Sequence, residues 1–239
     1  MTDNLLAWLD KHRTSKFFAF VHFYDPHAPC PNGYDSEVSR VDRSIARIDA
    51  FLRDSKLLEK THIFFVSDHG ESQGEHGEKG HGFFLYDSTL RVPLIVRPAA
   101  SSALQPRVVK QAASLVDIMP TILQMLAFQV STHLQGRGLG QSMLGKETAE
   151  AGQYAETHIP LLHCGWSPLR SYRLGHFVFI DAPRPEFYDV EVDPGQKVNV
   201  ITQNPTLARQ YRARLEEFTA RHQARSVKSP QAGPAMEAR

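Results

Sequence analysis

Cysteine is scarce in this sequence: Cys30 and Cys164 are its only two in 239 residues. Two thiols so placed give no disulfide framework and no CxxC metal site, and each reads as a packed thiol rather than a reactive one. Long apolar runs are missing as well. No stretch approaches the roughly 20 residues of a membrane span, so no membrane partner is read. The opening residues, Met1-Thr2-Asp3-Asn4-Leu5-Leu6, show no basic region ahead of an apolar core, hence no signal peptide, and the compartment stays open. An excess of one charge is absent too. The 27 Lys and Arg balance 26 Asp and Glu, for a formal net charge of +1, which excludes a polyanion surface and therefore nucleic acid as a partner. Nothing in the composition speaks to oligomeric state. What remains is an ordinary globular chain, 41% hydrophobic, long enough for one large and one small lobe.

The apolar pattern predicts a short helix over residues 1–13, with Leu5, Leu6 and Leu9 on one side. Residues 16–24, Lys-Phe-Phe-Ala-Phe-Val-His-Phe-Tyr, form a continuous apolar and aromatic run, the signature of a strand buried on both faces. Asp25-Pro26-His27-Ala28-Pro29 ends it in a loop. Asp35 or Ser36 can cap a helix whose apolar positions are Val38, Val41, Ile45, Ile48 and Leu52, spaced by threes and fours. Residues 61–66 read as a second strand. Strand, helix, strand is a βαβ unit, which builds parallel sheets. The carboxyl ends of parallel strands share one edge, where ligands bind. Asp25 and His27 leave the first strand there, and Ser67, Asp68 and His69 leave the second.

Further along, residues 94–96 give a third core strand. Residues 115–126 give a helix with Pro120 near its start, preceded by a possible strand at 108–114. Short strands at 154–157, 169–174 and 176–181 point to a small antiparallel sheet. Pro205 opens an amphipathic helix to residue 221, and the stretch from 225 to 239 has the composition of a disordered tail. The domain reading is therefore 1–150 for the α/β part, 151–224 for a small α+β lobe, and the tail.

The chemistry concentrates in Ser67-Asp68-His69-Gly70-Glu71. Asp68 offers an anionic oxygen and His69 a neutral nitrogen, a hard-to-borderline metal pair that admits Ca, Mg, Mn or Zn. The structural alternative is a strand-end cap in which Asp68 accepts backbone N–H bonds. His27, on a proline-stiffened loop, can donate a proton to a leaving oxygen or bond its own loop. His22 alternates with apolar neighbours and reads as a core histidine, and His62 as structural. His76 and His81 lie on a glycine-rich loop of unusual length. Either could contact an anion or the metal, and His81 ranks higher.

These segments resemble the sulfatases of the alkaline phosphatase superfamily. The resemblance rests on Ser67-Asp68-His69-Gly70-Glu71, Gly74-Glu75-His76-Gly77, the run from Leu85 through Leu90-Arg91-Val92-Pro93 to Val96, and Asp25-Pro26-His27-Ala28-Pro29. It continues in the run from Ala113 through Asp117 to Thr121, in Gly136-Arg137-Gly138-Leu139, and in Glu186-Phe187-Tyr188-Asp189 with Asp193-Pro194. Several motifs in one order are far more specific than a single short motif. The resemblance implies a mostly parallel central sheet flanked by helices, with a small C-terminal antiparallel lobe. It also implies metal-dependent hydrolysis of a small anionic sulfate ester. Asp68 and His69 then match metal ligands, with calcium the leading ion. His27 matches a histidine that contacts sulfate and assists the leaving group. His81 stands where many members have a sulfate-binding lysine, and Lys79, two residues away, is a second candidate for that contact.

His81 in place of that lysine is one departure from the pattern, and the larger one is an absence. The Cys/Ser-x-Pro-x-Arg motif that sulfatases convert to a formylglycine nucleophile is absent, as is the first strand with its metal aspartates. The expectation is a C-terminal part of such an enzyme, with the formylglycine in a segment preceding Met1, and a chain that alone binds metal weakly and turns over no sulfate ester. A phosphohydrolase or phosphotransferase of the same superfamily, and a non-catalytic fragment, are the alternative readings.

Overall fold

The computed structural model describes residues 1–102, 104–146 and 148–223. The expected tail at 225–239 lies outside them. The chain divides into two compact units, Met1–Ala151 and Gly152–Arg239.

In the first unit, helices α1 (Thr2–Lys11) and α2 (Tyr34–Asp54) bring Leu9 and Leu52 together with Leu57 and Leu58. Leu5, Phe17, Ile48, Phe51 and Ile63 pack around that cluster. The α2 periodicity buries Val41 and Leu52 as read from sequence, but the helix begins earlier, with Gly33 at its N-cap and no side-chain cap. Asp35 and Ser36 therefore lie in the first turn, where Asp35 complements the helix dipole.

Strand β1 (Ile63–Val66) pairs antiparallel with β4 (Leu94–Arg97), Val66 opposite Leu94. Between them come the two-residue strands β2 (Ser72–Gln73) and β3 (Lys79–Gly80), paired antiparallel, and the short helix α3 (Asp87–Leu90). Helices α4 (Ile118–Met125) and α5 (Gly140–Met143) complete this unit. Two of the motifs singled out in sequence are tied together here. Asp117 accepts the Arg137 backbone N–H at 2.8 Å, and Thr121 Oγ1 accepts that of Leu139 at 3.0 Å.

Three expectations need correction. Residues 16–24 join no ladder among the described residues, and β1 pairs antiparallel with β4 rather than parallel with them. Phe17, Val21 and Phe23 are half-buried, while Phe18 and Phe20 are 75% and 83% exposed on an outer face and Ala19 is exposed as well. An apolar run shows that a strand could be buried on two faces, but only a neighbouring backbone can pair it. His22, expected in the core, is exposed between Phe20 and Tyr24 on that outer face. Nor do residues 108–114 form a strand. His62 is structural, its Nδ1 accepting the Ala99 N–H at 3.0 Å.

The second unit is an antiparallel sheet in the order β5 (Gln153–Thr157), β6 (Leu169–Leu174), β7 (Phe177–Asp181) and β8 (Glu186–Asp189). Helix α7 (Pro205–Gln223) packs on it. Phe179 and Phe187 meet Ala208, Tyr211 and Leu215 in its core, and the Tyr211 hydroxyl donates to Leu174 O at 2.8 Å. Helix α6 (Ile159–Cys164) had not been read from sequence. Its signals are there: Pro160 in the first turn and Gly165 in the left-handed conformation at its C-cap. No described helix is long and apolar enough to cross a membrane.

Candidate functional site

Three loops of the first unit converge: the turn after residue 24, the turn after β1, and the end of the β2–β3 hairpin. Each contributes a histidine. One ring nitrogen from each of His27, His69 and His81 lies within 4.8 Å of the others. His69 and His81 stack with centroids 3.8 Å apart, and His27 meets His81 edge-on at 4.9 Å.

Local bonding holds each ring. His27 Nδ1 lies 2.5 Å from Ala28 O, and the ring stacks on Tyr24 at 4.3 Å. His69 Nδ1 lies 2.9 Å from Gly70 O. A carbonyl only accepts, so both Nδ1 atoms carry the hydrogen, and in the neutral imidazole the lone pair is then on Nε2. The turn bearing His69 is fastened by Ser67 Oγ, which donates to His69 O at 2.6 Å, and by Gly70 N–H, which donates to Thr89 O at 2.8 Å.

Glu71 ties the three loops together, a role the sequence reading did not assign. Its side chain is only 4% exposed. One carboxylate oxygen accepts the Ala28 N–H at 3.2 Å, and the other stands 3.4 Å from His81 Nδ1. Gly80 has φ +97°, and a Cβ there would stand 3.3 Å from that same carboxylate oxygen. The hairpin is closed by Ser72, whose Oγ donates to Glu75 Oε2 at 2.9 Å and Glu78 O at 3.1 Å. Backbone N–H groups and the Ser72 hydroxyl hold the Glu75 carboxyl below its usual range. The signal that could have found Glu71 was present: it closes the Ser-Asp-His-Gly-Glu motif and precedes a strand by one residue.

The other sequence candidates are placed differently. Asp68 is exposed, with Oδ1 accepting the His69 N–H at 3.1 Å and Oδ2 3.9 Å from His69 Nε2. The first contact is the capping geometry, the second a metal-compatible adjacency. A hard cation takes six or so donors, so this pair fits one side of a cation site. Lys79 is exposed on β3. His76 has φ +55° and its ring stacked 3.5 Å from Tyr86.

Cys30 packs beneath the first loop. Its Sγ donates to Pro26 O and His27 O, each at 3.5 Å. Burial first, then the charges of Glu71 and Glu37, push the thiol pKa up. Burial and Glu71 likewise raise Tyr34. Cys164 is exposed. Under native conditions at pH 8, a disulfide reagent such as DTNB is expected to label Cys164 quickly and Cys30 slowly, with denaturant making the rates equal. Equal native rates would contradict the packed role of Cys30.

A sequence model of the sulfatase family matches residues 1–128. Arylsulfatase K of Gallus gallus is 29% identical over 182 residues, covering 72% of this chain and 34% of that protein. A solved sulfatase from a glycosaminoglycan locus of Bacteroides thetaiotaomicron shares the fold, with a TM-score of 0.69 at 20% identity, over 92% of this chain and 53% of its own. Phosphonate monoester hydrolase of Agrobacterium radiobacter gives a TM-score of 0.66 at 26% identity, over 79% and 41%. The α/β class read from sequence is thus the fold of solved sulfatases. The chain spans about a third of the length of the arylsulfatase it matches.

Proposed function

The chain belongs to the sulfatase family, and we propose that it carries part of the active site of a metal-dependent sulfuric ester hydrolase. The observation that carries this reading is the convergence of His27, His69 and His81 on one point beside the Glu71 carboxylate. Sulfate esters need positive or hydrogen-bonding groups around their oxygens and a proton for the departing alcohol oxygen. His27 is suited to the second task. Ala28 O fixes its Nδ1–H, so Nε2 takes up a proton and returns it to the leaving oxygen. His81, protonated and held from behind by Glu71, supplies the cationic N–H that a lysine supplies in many family members, with Lys79 a second cation.

Asp68 and His69 would hold the divalent cation, calcium being the expected ion because Asp68 brings a charged hard oxygen. Such a cation supplies Lewis-acid polarisation of the ester's oxygens when bound. The 239 residues contain no Cys/Ser-x-Pro-x-Arg motif, so on this reading the chain alone lacks the nucleophile.

The His81 position also admits a second reading, a phosphoryl or phosphonyl ester hydrolase, favoured by the likeness to the Agrobacterium phosphonate monoester hydrolase. Histidine proton NMR separates the two. Addition of 4-nitrophenyl sulfate is expected to shift the His27 and His81 ring signals more than chloride at equal ionic strength, with no release of nitrophenol. Larger shifts with phenylphosphonate than with the sulfate would favour the second reading. No shift with either anion would overturn both, and rapid metal-dependent release of nitrophenol would overturn the partial-site reading.

A further inference from the structure

Anion binding calls for N–H groups pointing at the ligand, yet these three rings spend their Nδ1–H groups elsewhere. His27 donates to Ala28 O and His69 to Gly70 O. His81 Nδ1 faces Glu71 Oε1 at 3.4 Å, and an ionised carboxylate also only accepts. The result is a set of imidazoles each anchored through Nδ1 to an oxygen and each left with Nε2 as a lone-pair donor. Anchoring the far nitrogen on a carbonyl or carboxylate is how metal-ligating histidines are oriented and made more basic.

We propose that His27, His69 and His81 form a three-nitrogen site for zinc, differing in its donors from the Asp68–His69 pair. Three neutral imidazoles suit a borderline-soft ion such as zinc, whereas calcium takes oxygen. Zinc–nitrogen bonds of about 2.0–2.1 Å place tetrahedral ligand atoms roughly 3.4 Å apart. One ring nitrogen from each already lies within 4.8 Å of the others, so the three rings must rotate to bring their Nε2 atoms to that spacing. Three protein ligands leave a fourth position for water or a substrate oxygen. The buried Glu71 carboxylate behind His81 offsets part of the ion's charge. Because the site takes the lone pairs of His27 and His81, bound zinc and a protonated, sulfate-contacting pair exclude one another. This proposal does not rest on the hydrolase reading. It shares only His69 with the calcium pair, so zinc would displace calcium there.

Isothermal titration of the metal-free, full 239-residue chain tests it, with zinc chloride and calcium chloride in separate arms. One zinc per chain is expected. His27→Gln, His69→Gln and His81→Gln should each weaken zinc by about tenfold or more, and Glu71→Gln, which keeps an oxygen for the Ala28 N–H but removes the carboxylate charge behind His81, by about 10–100-fold. Asp68→Asn should weaken calcium and leave zinc unchanged. Circular dichroism establishes that each variant is folded. In the wild-type chain, proton NMR should show the His27, His69 and His81 signals moving with one equivalent of zinc while His163 and His222 stay in place. Zinc affinity unaltered in His27→Gln and His81→Gln, or zinc weakened by Asp68→Asn as much as by His81→Gln, would overturn the three-histidine site. Loss of the calcium response alone would count against the hydrolase reading and leave this one standing.

Discussion

Phe187→Ala is expected to cost the second unit about 3–5 kcal/mol, roughly a 10²–10⁴-fold loss in its folding equilibrium. Phe187 is 0% exposed on β8, stacks on Phe177 at 5.2 Å, and meets the Tyr211 ring edge-on at the same distance. Truncation removes a ring that touches both the sheet and α7, and close-packed neighbours relax only partly into the space. The hydroxyl of Tyr211, which donates to Leu174 O, loses the packing that positions its ring. Hydrogen exchange supplies the measurement. Amides of β6, β7 and β8 should lose protection together, whereas Phe187→Leu should lose markedly less. A change below about 1 kcal/mol, within the range of an ordinary surface substitution, would show that the ring is not the centre of this core.

That core was legible in part. Residues 169–174, 176–181 and 205–221 are marked in sequence as short β-rich runs broken by Gly175 and as a helix opened by Pro205. Phe179 belongs to a strand read from sequence, whereas Phe187 sits on β8, which the sequence pattern did not mark. The first unit was read less well for a physical reason. The run from Phe17 to Tyr24 is apolar on both sides, so its sequence speaks of burial but not of pairing, and among the described residues it has no ladder. At the candidate site, sequence could mark His27, His69 and His81 because each sits beside a glycine or proline in a loop. It could not show that the Glu71 carboxylate would face the His81 ring. Glu71 itself was hidden because a glutamate near a strand end is ordinarily a solvated charge, and only the fold shows its side chain 4% exposed beneath three loops.

Gly70→Ala should damage the site more than any other glycine substitution in these loops. The requirement is steric rather than torsional, since Gly70 is not among the positive-φ glycines. A Cβ there would lie 2.4 Å from Ser88 O and 3.1 Å from Thr89 Cα, both backbone atoms at α3 that cannot swing aside as a side chain would. Overpacking of this kind costs about 1–3 kcal/mol. The backbone must retreat, and it carries two functional bonds: Gly70 N–H to Thr89 O, and Gly70 O, which receives the Nδ1–H of His69. Moving that carbonyl moves the imidazole, and a displacement near 1 Å can cost about 10²-fold in a process that needs the ring in place. Gly77→Ala is the contrast. Gly77 has φ +81° with open space where a Cβ would stand, so alanine there strains the hairpin without touching His69. Thermal unfolding should register both substitutions, but only Gly70→Ala should weaken calcium and zinc alike, because His69 is the one ligand the two sites share. Wild-type affinity for both ions in Gly70→Ala would mean that His69 is held by something other than the turn at Gly70.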